Sequence, residues 1–519
     1  MNASAKLLLL LILGSRSLQS QEMYTIGGTV INAATNAPYP MAHVSIARTG
    51  TNRAMASMIT GNDGRFSMRL PAGKYHLYAG SRDSLQIYGK PRPDASVGSA
   101  LFVNAKSDTS SLVFLWYPPV AISGKITDNN SEPVQGALIQ LVRANTTAGR
   151  RVMTTAAWAY TNDLGEYRFG SIAAGTFYLT ANGEPWYEKP GFPNVPDQKN
   201  HVSYRTVHYP NVNDASHAAP IVLKPGTEAH ADFTFTEAIG AAVTVKYDAP
   251  PAFRGSVSLI AEGIGGTDAF QRTSGVFRGE QILPSVPPGH YTVRVSGSGG
   301  NTSMAGRQEL DVSGPEAAVE VKVRPFSTVS GRVQFPTSSP RPAGSLLVSL
   351  VREPGPGSIG TAIHPDGTFA FPAAAAGKWR VTLRAPGFFA SEVRVEGAES
   401  RDGVVSLEDG GNVTISVVAS DEMGELKGLL TKGGKPVISA MVVLAPANDG
   451  DRNPYRGFQT DSDGSFDFEN LRTGDYLLFT APDADIEYTN PAVVRPLLKD
   501  AKHVTVTKKN TTVSDISLQ

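Results

Sequence analysis

Apolar and polar residues alternate along most of this chain. In 121–128 (AISGKITD), 136–143 (GALIQLVR), 165–169 (GEYRF) and 176–181 (TFYLTA), every second position is apolar over most of the run. A period of two sends one row of side chains into a core and the other into water, so these segments predict half-buried strands. Asn-Asp-Gly and Pro-Asp-Gly between the runs predict tight reversals, because Asp can bond the backbone ahead of it and Gly accepts positive φ. Pro133-Val134 and Pro436-Val437 open strands where no ladder donor is yet required. No window carries a convincing helical period, and the alanines at 373–376 are too few for a helix. Short strands separated by turns at roughly 8–12-residue spacing predict β-sandwiches.

The pattern also repeats. GNDGRFSMRL (61–70), TNDLGEYRFG (161–170), HPDGTFAFPA (364–373) and DSDGSFDFEN (461–470) share a turn glycine at Gly64, Gly165, Gly367 and Gly464. Nine or ten residues later comes Gly-x-aromatic-x-Leu/Val: GKYHL (73–77), GTFYL (175–179), GKWRV (377–381) and GDYLL (474–478). Upstream by 36–41 residues lies a Gly-x-Val-like pattern at Gly28, Gly124, Gly331 and Gly428. A weaker copy at 272–295 has Gly275 in the turn slot and Gly289-His-Tyr291 after it. The period is close to 100 residues, which means tandem domains rather than a solenoid of short repeats.

The order Gly-x-Val, Pro-Val-x-Gly-Ala, Thr-Asp-x-Gly-x-Phe-x-Phe, Gly-x-Tyr-x-Leu resembles the carboxypeptidase regulatory-like domain. That family is also called transthyretin-like and is similar to collagen-adhesin B-type and starch-binding-like folds. The resemblance covers four copies well and the third loosely. It implies an all-β chain of five tandem seven-stranded Greek-key sandwiches of the prealbumin-like or carbohydrate-binding-like kind. The expected divisions are 21–118, 119–237, 238–325 (divergent), 326–420 and 421–519. The shared motifs occupy core and turn positions, so they specify fold strongly and function weakly. Members of the family are accessory modules of exported bacterial proteins, not peptidases.

Residues 1–20 read as a signal peptide: Lys6, seven apolar residues at 7–13, then Gly14 and small polar residues. Seven apolar residues are far short of the ~20 that span a bilayer. The expected location is therefore outside the cytoplasm (periplasm, outer surface or medium), with no integral membrane segment once the signal is removed. Lys plus Arg equals Asp plus Glu at 47 each, so the chain is not built to neutralise phosphates and nucleic acid is a poor partner. With no Cys there is no disulfide, thiolate metal site or Cys nucleophile.

Candidate chemistry is sparse. None of the nine His residues starts HxxE or HExxH, and no GxSxG sits in a strand-turn-helix setting. The transthyretin-fold hydrolases end in Tyr-Arg-Gly-Ser; this chain ends Ser-Leu-Gln, so that activity is not carried over. Asp461-Ser-Asp463-Gly464 resembles the start of a calcium loop but lacks the late bidentate Glu, and it reads better as a hairpin turn. No cofactor and no metal are expected. Related adhesin domains carry Lys–Asn isopeptide bonds, and Lys125 with Asn182 is the one pair with a suggestive layout.

The most distinctive segment is an aromatic-rich insert at 183–219. It holds Trp186, Tyr187, Phe192, Tyr204 and Tyr209 with His201, His208 and His217. Its prolines make it read as a stiffened loop. Ring faces flanked by Asn, Asp and Arg suit sugars, since a ring covers the apolar side of a pyranose while polar groups bond its hydroxyls. Trp158 and Tyr160, just before the turn, complete the candidate surface: Trp186, Tyr187, Tyr204, Tyr209, Trp158 and Tyr160. The competing reading has these rings pin the loop to its own sandwich, and a third makes the three His a metal site. Trp379 is read as core.

The expectation is an exported, non-catalytic rod whose partner is a carbohydrate or a cell-surface or extracellular protein. Its rivals are a structural spacer that binds only protein, and an enzyme with an unfamiliar site.

Overall fold

The repeated glycines have a common steric cause. The computed structural model describes residues 22–51, 53–90, 92–95, 98–105, 109–147, 149–188, 201–276, 279–340, 342, 344–353, 357–448, 455–481 and 486–518. Residues 1–20, read above as a signal peptide, and Phe192 lie outside them. In four copies the Gly-x-Val glycine stands opposite the first ring of the strand that follows the Asp-Gly turn: Gly28 with Phe66, Gly124 with Tyr167, Gly331 with Phe369 and Gly428 with Phe466. The carbonyl of another neighbouring segment crowds the same point. A Cβ there would lie 2.1 Å from Leu112 O, 1.9 Å from Ala231 O, 2.0 Å from Ile415 O and 2.2 Å from Ser514 O, respectively. Only glycine leaves room for that approach. In the third copy the slot holds Val245 opposite Gln281, so glycine and ring are missing together. That joint loss is why this copy is faint in the sequence.

The turn glycine is equally constrained. Val30, Ile126, Tyr247, Val333 and Leu430 donate backbone N–H to the carbonyls of Gly64, Gly165, Gly279, Gly367 and Gly464 at 2.8–2.9 Å. All five glycines have φ between 66° and 90°. The third copy therefore turns at Gly279, ten residues before Gly289 as elsewhere, and not at Gly275. Gly275 sits inside the strand Asp268–Val276, opposite Ser256. The Gly-x-aromatic slot has its own logic. Its ring is buried and its polar atom reaches back four residues: Tyr75 to Pro71 O (2.8 Å), Tyr291 to Pro287 O (2.7 Å), Trp379 to Ala375 O (2.9 Å) and Tyr476 to Arg472 O (2.7 Å). Phe177 fills the slot in the second copy without a polar atom and is fully buried.

Among the described residues these strands assemble into ten sheets, a four-stranded and a five-stranded one in each successive stretch of chain. Each pair encloses a core fed from both sheets, for example Ile26, Phe66, Tyr75 and Phe114, or Ile139, Phe169, Phe177 and Phe233. Short added strands bring each pair to nine strands rather than seven. The long first strands begin at Met23, Val120, Glu237, Ser327 and Met423. From the second pair onward, each lies parallel to the closing strands of its own sandwich, as Greek-key wiring requires. Among the described residues one α-helical turn interrupts the pattern: Pro491–Val494 runs into a 3₁₀ segment, Arg495–Asp500. Asn490 caps it by accepting from Ala492 N at 3.1 Å, and Val494 is buried beneath it. It is too short for a helical period to register in the sequence.

The chain divides into two compact units. One comprises residues up to 31, 37–88 and 100–116, the first pair of sheets; the other contains the four remaining pairs. Within the second unit, residues 340 apart meet: Thr489 Oγ1 donates to Gly149 O at 2.6 Å. A strictly linear string forbids that contact, so the expectation of an end-to-end rod is corrected for this unit.

Candidate binding surface

In the second pair of sheets, the strands Arg150–Tyr160, Leu138–Thr147, Gly175–Asn182 and Val207–His208 lie side by side. Their register sets up two rows across the outward face. One runs Trp158, Gln140, Thr180, His208; the other runs Tyr160, Leu138, Asn182. The alternate residues Ile139, Leu141, Leu179, Ala181 and Val207 enter the core, so the pleat itself turns the rows outward. Trp158 and Tyr160 are 64% and 68% exposed. Two positions apart on one strand, they present rings about 7 Å apart on the same face.

Exposure falls steeply along the tryptophan row. Gln140, Thr180 and His208 are 8%, 1% and 3% exposed. Thr180 Oγ1 and His208 Nδ1 share a hydrogen bond of 2.9 Å. Burial holds the His208 imidazole below its ordinary pKa, against the opposing charge of Asp214. The buried Gln140 Oε1 has no donor among the described residues. In the second row, Asn182 Oδ1 accepts from Thr206 Oγ1 at 2.6 Å and its Nδ2 donates to Ala269 O. The two exposed rings can stack on a polyol, while the amide and hydroxyl groups of these rows are buried or bonded within the protein.

The insert behaves differently from its reading as a loop. Trp186–Glu188 is a 3₁₀ turn. Trp186 is 61% exposed and meets Tyr187 edge-on at 5.5 Å and 86°. Tyr187 Oη donates to Glu237 Oε1 at 3.2 Å. Burial, together with the Glu237 charge, pushes its pKa up to about 12. Tyr204 is 5% exposed and stacked on Phe235 at 5.0 Å, and burial holds its hydroxyl well above the ordinary range. Tyr209 is half-buried against the second core. Of the six candidate rings, Trp158, Tyr160 and Trp186 face outward, Tyr187 lies at the edge, and Tyr204 and Tyr209 are turned inward. The last two are corrected to packing residues, because a ring pressed into a core has no face left for a ligand.

Nor does the insert pin itself to its own sandwich alone. His201–Tyr204 is a strand, antiparallel to 237–240, and it forms the edge of a sheet belonging to the third pair. The Glu188 carboxylate, with its side chain 6% exposed, fastens this arrangement. It accepts from Val202 N (3.0 Å) and from Ser285 Oγ, and it pairs with His201 Nδ1 (3.0 Å). Burial opposes the charge on Glu188, yet these hydrogen bonds together hold its pKa below the usual carboxylate value. Arg272 of the third pair adds an ion pair to Glu184. Sequence reasoning missed this clamp; its signal is the alternation of Val202 and Tyr204, masked by the prolines before it.

The remaining candidates separate. Lys125 is exposed on the strand opposite Glu166, in the other sheet from Asn182, so the isopeptide layout is not formed. His201, His208 and His217 have different partners, Glu188, Thr180 and Asp214. Among the described residues, no group of three or more His, Cys, Asp or Glu could hold a metal ion. Asp463 Oδ1 accepts from Ser465 N (3.0 Å) and Ser465 Oγ (2.6 Å), which makes it a turn cap. Trp379 is 5% exposed, in the fourth core.

Residues 25–90 match the model of the carboxypeptidase regulatory-like domain. Solved structures with some similarity include a streptococcal ancillary pilin, at 13% identity, covering 54% of this chain and 99% of that one, with a TM-score of 0.19. The TIE protein of Bacillus anthracis is 12% identical over 78% of this chain and 76% of its own, with a TM-score of 0.18. BcpA, the major pilin subunit of Bacillus cereus, is 12% identical over 77% and 99%, with a TM-score of 0.15. Likenesses this low say nothing about function. No curated protein matches the sequence.

Proposed function

We propose that this chain is an exported, non-catalytic binding protein whose ligand is a carbohydrate, as free glycan or on a cell surface. The observation that carries the reading is the exposed Trp158–Tyr160 pair on one strand face. Exposed rings at strand spacing match the repeat of a sugar chain better than they match a catalytic cleft, and they strand apolar surface in water unless something covers it. The enzyme alternative has the Thr180 hydroxyl bonded to the His208 imidazole on this face, but both are buried, at 1% and 3% exposure, where a substrate does not reach them. The spacer alternative has one observation in its favour: the insert joins the second and third sandwiches through Glu188 and the 201–204 strand. The two roles are compatible, since a stiff joint holds a binding face in place.

The test is a polysaccharide panel probed with the wild type and with Trp158→Ala/Tyr160→Ala. Loss of retention on at least one glycan, with melting temperature unchanged, supports the reading. Equal retention of both proteins on every glycan rejects the site.

A further inference from the structure

The closing strands of the five sandwiches can be compared slot by slot. Leu112, Ala231, Ile415 and Ser514 each set a carbonyl against the Gly-x-Val glycine, and in the third copy Val319 lies opposite Val245. The residue that follows faces outward in every copy: Val113, Asp232, Glu320, Ser416 and Asp515. Two positions further on stand Leu115, Thr234, Lys322, Val418 and Ser517. A strand at the edge of a sheet offers its unused N–H and C=O groups to any other strand, unless a charge or a cover prevents the approach.

Four of the sandwiches block that approach. In the second, third and fifth, an acid occupies the outward slot. Asn211 Nδ2 also donates to Asp232 O at 3.4 Å, and Lys502 Nζ to Asp515 O at 3.1 Å. In the fourth, where the slot is Ser416, the chain covers the edge itself. Phe389–Glu396 pairs antiparallel with Asn412–Ser420, setting Arg394 opposite Ser416 and Glu392 opposite Val418. The first sandwich has neither device. Its closing strand, Leu112–Trp116 (LVFLW), carries no charge, and Val113 and Leu115 are 57% and 43% exposed. Among the described residues, it pairs with the long first strand and with no other.

We propose that Leu112–Trp116 pairs antiparallel with the same strand of a second copy, joining two first sandwiches through one continuous sheet about a two-fold axis. The fourth sandwich establishes that the equivalent strand accepts an antiparallel neighbour. A second copy fits the chemistry of the open one. With Phe114 opposite its twin, Val113 faces Leu115 and Leu112 faces Trp116, so every position of the strand meets an apolar residue. Sliding the register to pair Val113 with its own twin would set Leu115 against Ser111. The contact is the same patch on both copies, so it closes at two, and the four blocked edges give it no way to grow. One five-residue strand from each copy makes a small interface, so the dissociation constant should be on the order of 10 µM. The carbohydrate reading plays no part in this inference.

The experiment is sedimentation of the full chain from about 1 to 100 µM, a range that brackets the expected constant. The wild type should pass from monomer to dimer across it. Val113→Asp and Leu115→Lys install what the sister slots already carry, Asp232 and Lys322, so both should fold with an unchanged melting temperature. Each should weaken dimerisation at least about tenfold, because it brings like charges together across the pair. The register has its own test, since the chain has no cysteine to interfere. A mixture of Val113→Cys and Leu115→Cys proteins should form a disulfide-linked dimer on mild oxidation. Val113→Cys alone should form far less, because opposite positions bring Cβ atoms to about 5 Å and diagonal ones only to about 7–8 Å. A wild type that stays monomeric throughout, charged variants that dimerise as well as it does, assembly beyond two copies, or a mixture that does not cross-link each overturns the proposal. If a charged variant misfolds, the cysteine mixture decides.

Discussion

Replacing Glu188 by Ala should unzip the strand that the insert lends to the third sandwich. Residue 205 donates its N–H to Thr236 O, so by alternation 201 and 203 face the partner strand while 202 and 204 face away. Val202 N therefore depends on the Glu188 carboxylate, and so does the hydroxyl of Ser285, which is only 3% exposed. Hydrogen bonds to a charged acceptor contribute about 1.5–3 kcal/mol each, and they are not additive when they share one group. Water entering the space left by the side chain recovers part of the loss. The net destabilisation of this joint should be about 2–4 kcal/mol, a 30- to 1000-fold change in local opening. Hydrogen exchange followed by mass spectrometry reads it directly: the amides of 201–204 and 237–240 should exchange faster by that factor, while the fifth core stays protected. Glu188→Gln, which keeps one carbonyl acceptor without the charge, should fall between the two. Unchanged protection of both segments in the Ala variant would falsify the clamp.

Other outcomes follow from the repeated slots. Gly124→Ala places a methyl 1.9 Å from Ala231 O and should destabilise the second sandwich by about 3 kcal/mol or more, seen as a lowered denaturation midpoint. Tyr476→Phe removes only the hydroxyl bonded to Arg472 O and should cost about 1 kcal/mol in urea titration. Lys508, helped by Ser339, holds the Asp421 carboxyl down at about 2 from its ordinary 3.8. Because its folded value is depressed, its contribution is fully present above pH 3.8 and lost as pH falls towards 2. Melting curves of the wild type and Asp421→Asn should thus differ at pH 5 and converge near pH 2.

Much of the fold was legible because each repeated motif answers a local demand. A glycine at φ near 77°, as at Gly165, or one facing a carbonyl 2 Å from where its Cβ would stand, as at Gly124, leaves no choice of residue. The third copy was misread at Gly275 because its ring and its Gly-x-Val glycine are both gone, leaving only the turn itself at Gly279. The site was legible in part. Trp158 and Tyr160 could be placed because alternation along one strand decides which way a side chain points. Tyr204 and Tyr209 could not, since their burial depends on Phe235 and on contacts made far away in sequence. The clamp was invisible for the same reason: Glu188 and Ser285 are 97 residues apart, and nothing local ties them together.

The sharpest test uses the tryptophans themselves. Of the four, Trp116 and Trp379 are buried at 6% and 5% exposure, so in Trp186→Phe the one solvent-facing indole is Trp158. Titrating that variant with the glycan that the wild type retains best should give a saturable shift in emission, with the same midpoint as binding measured by calorimetry. Binding by calorimetry with no change in emission would show that the sugar never reaches this face.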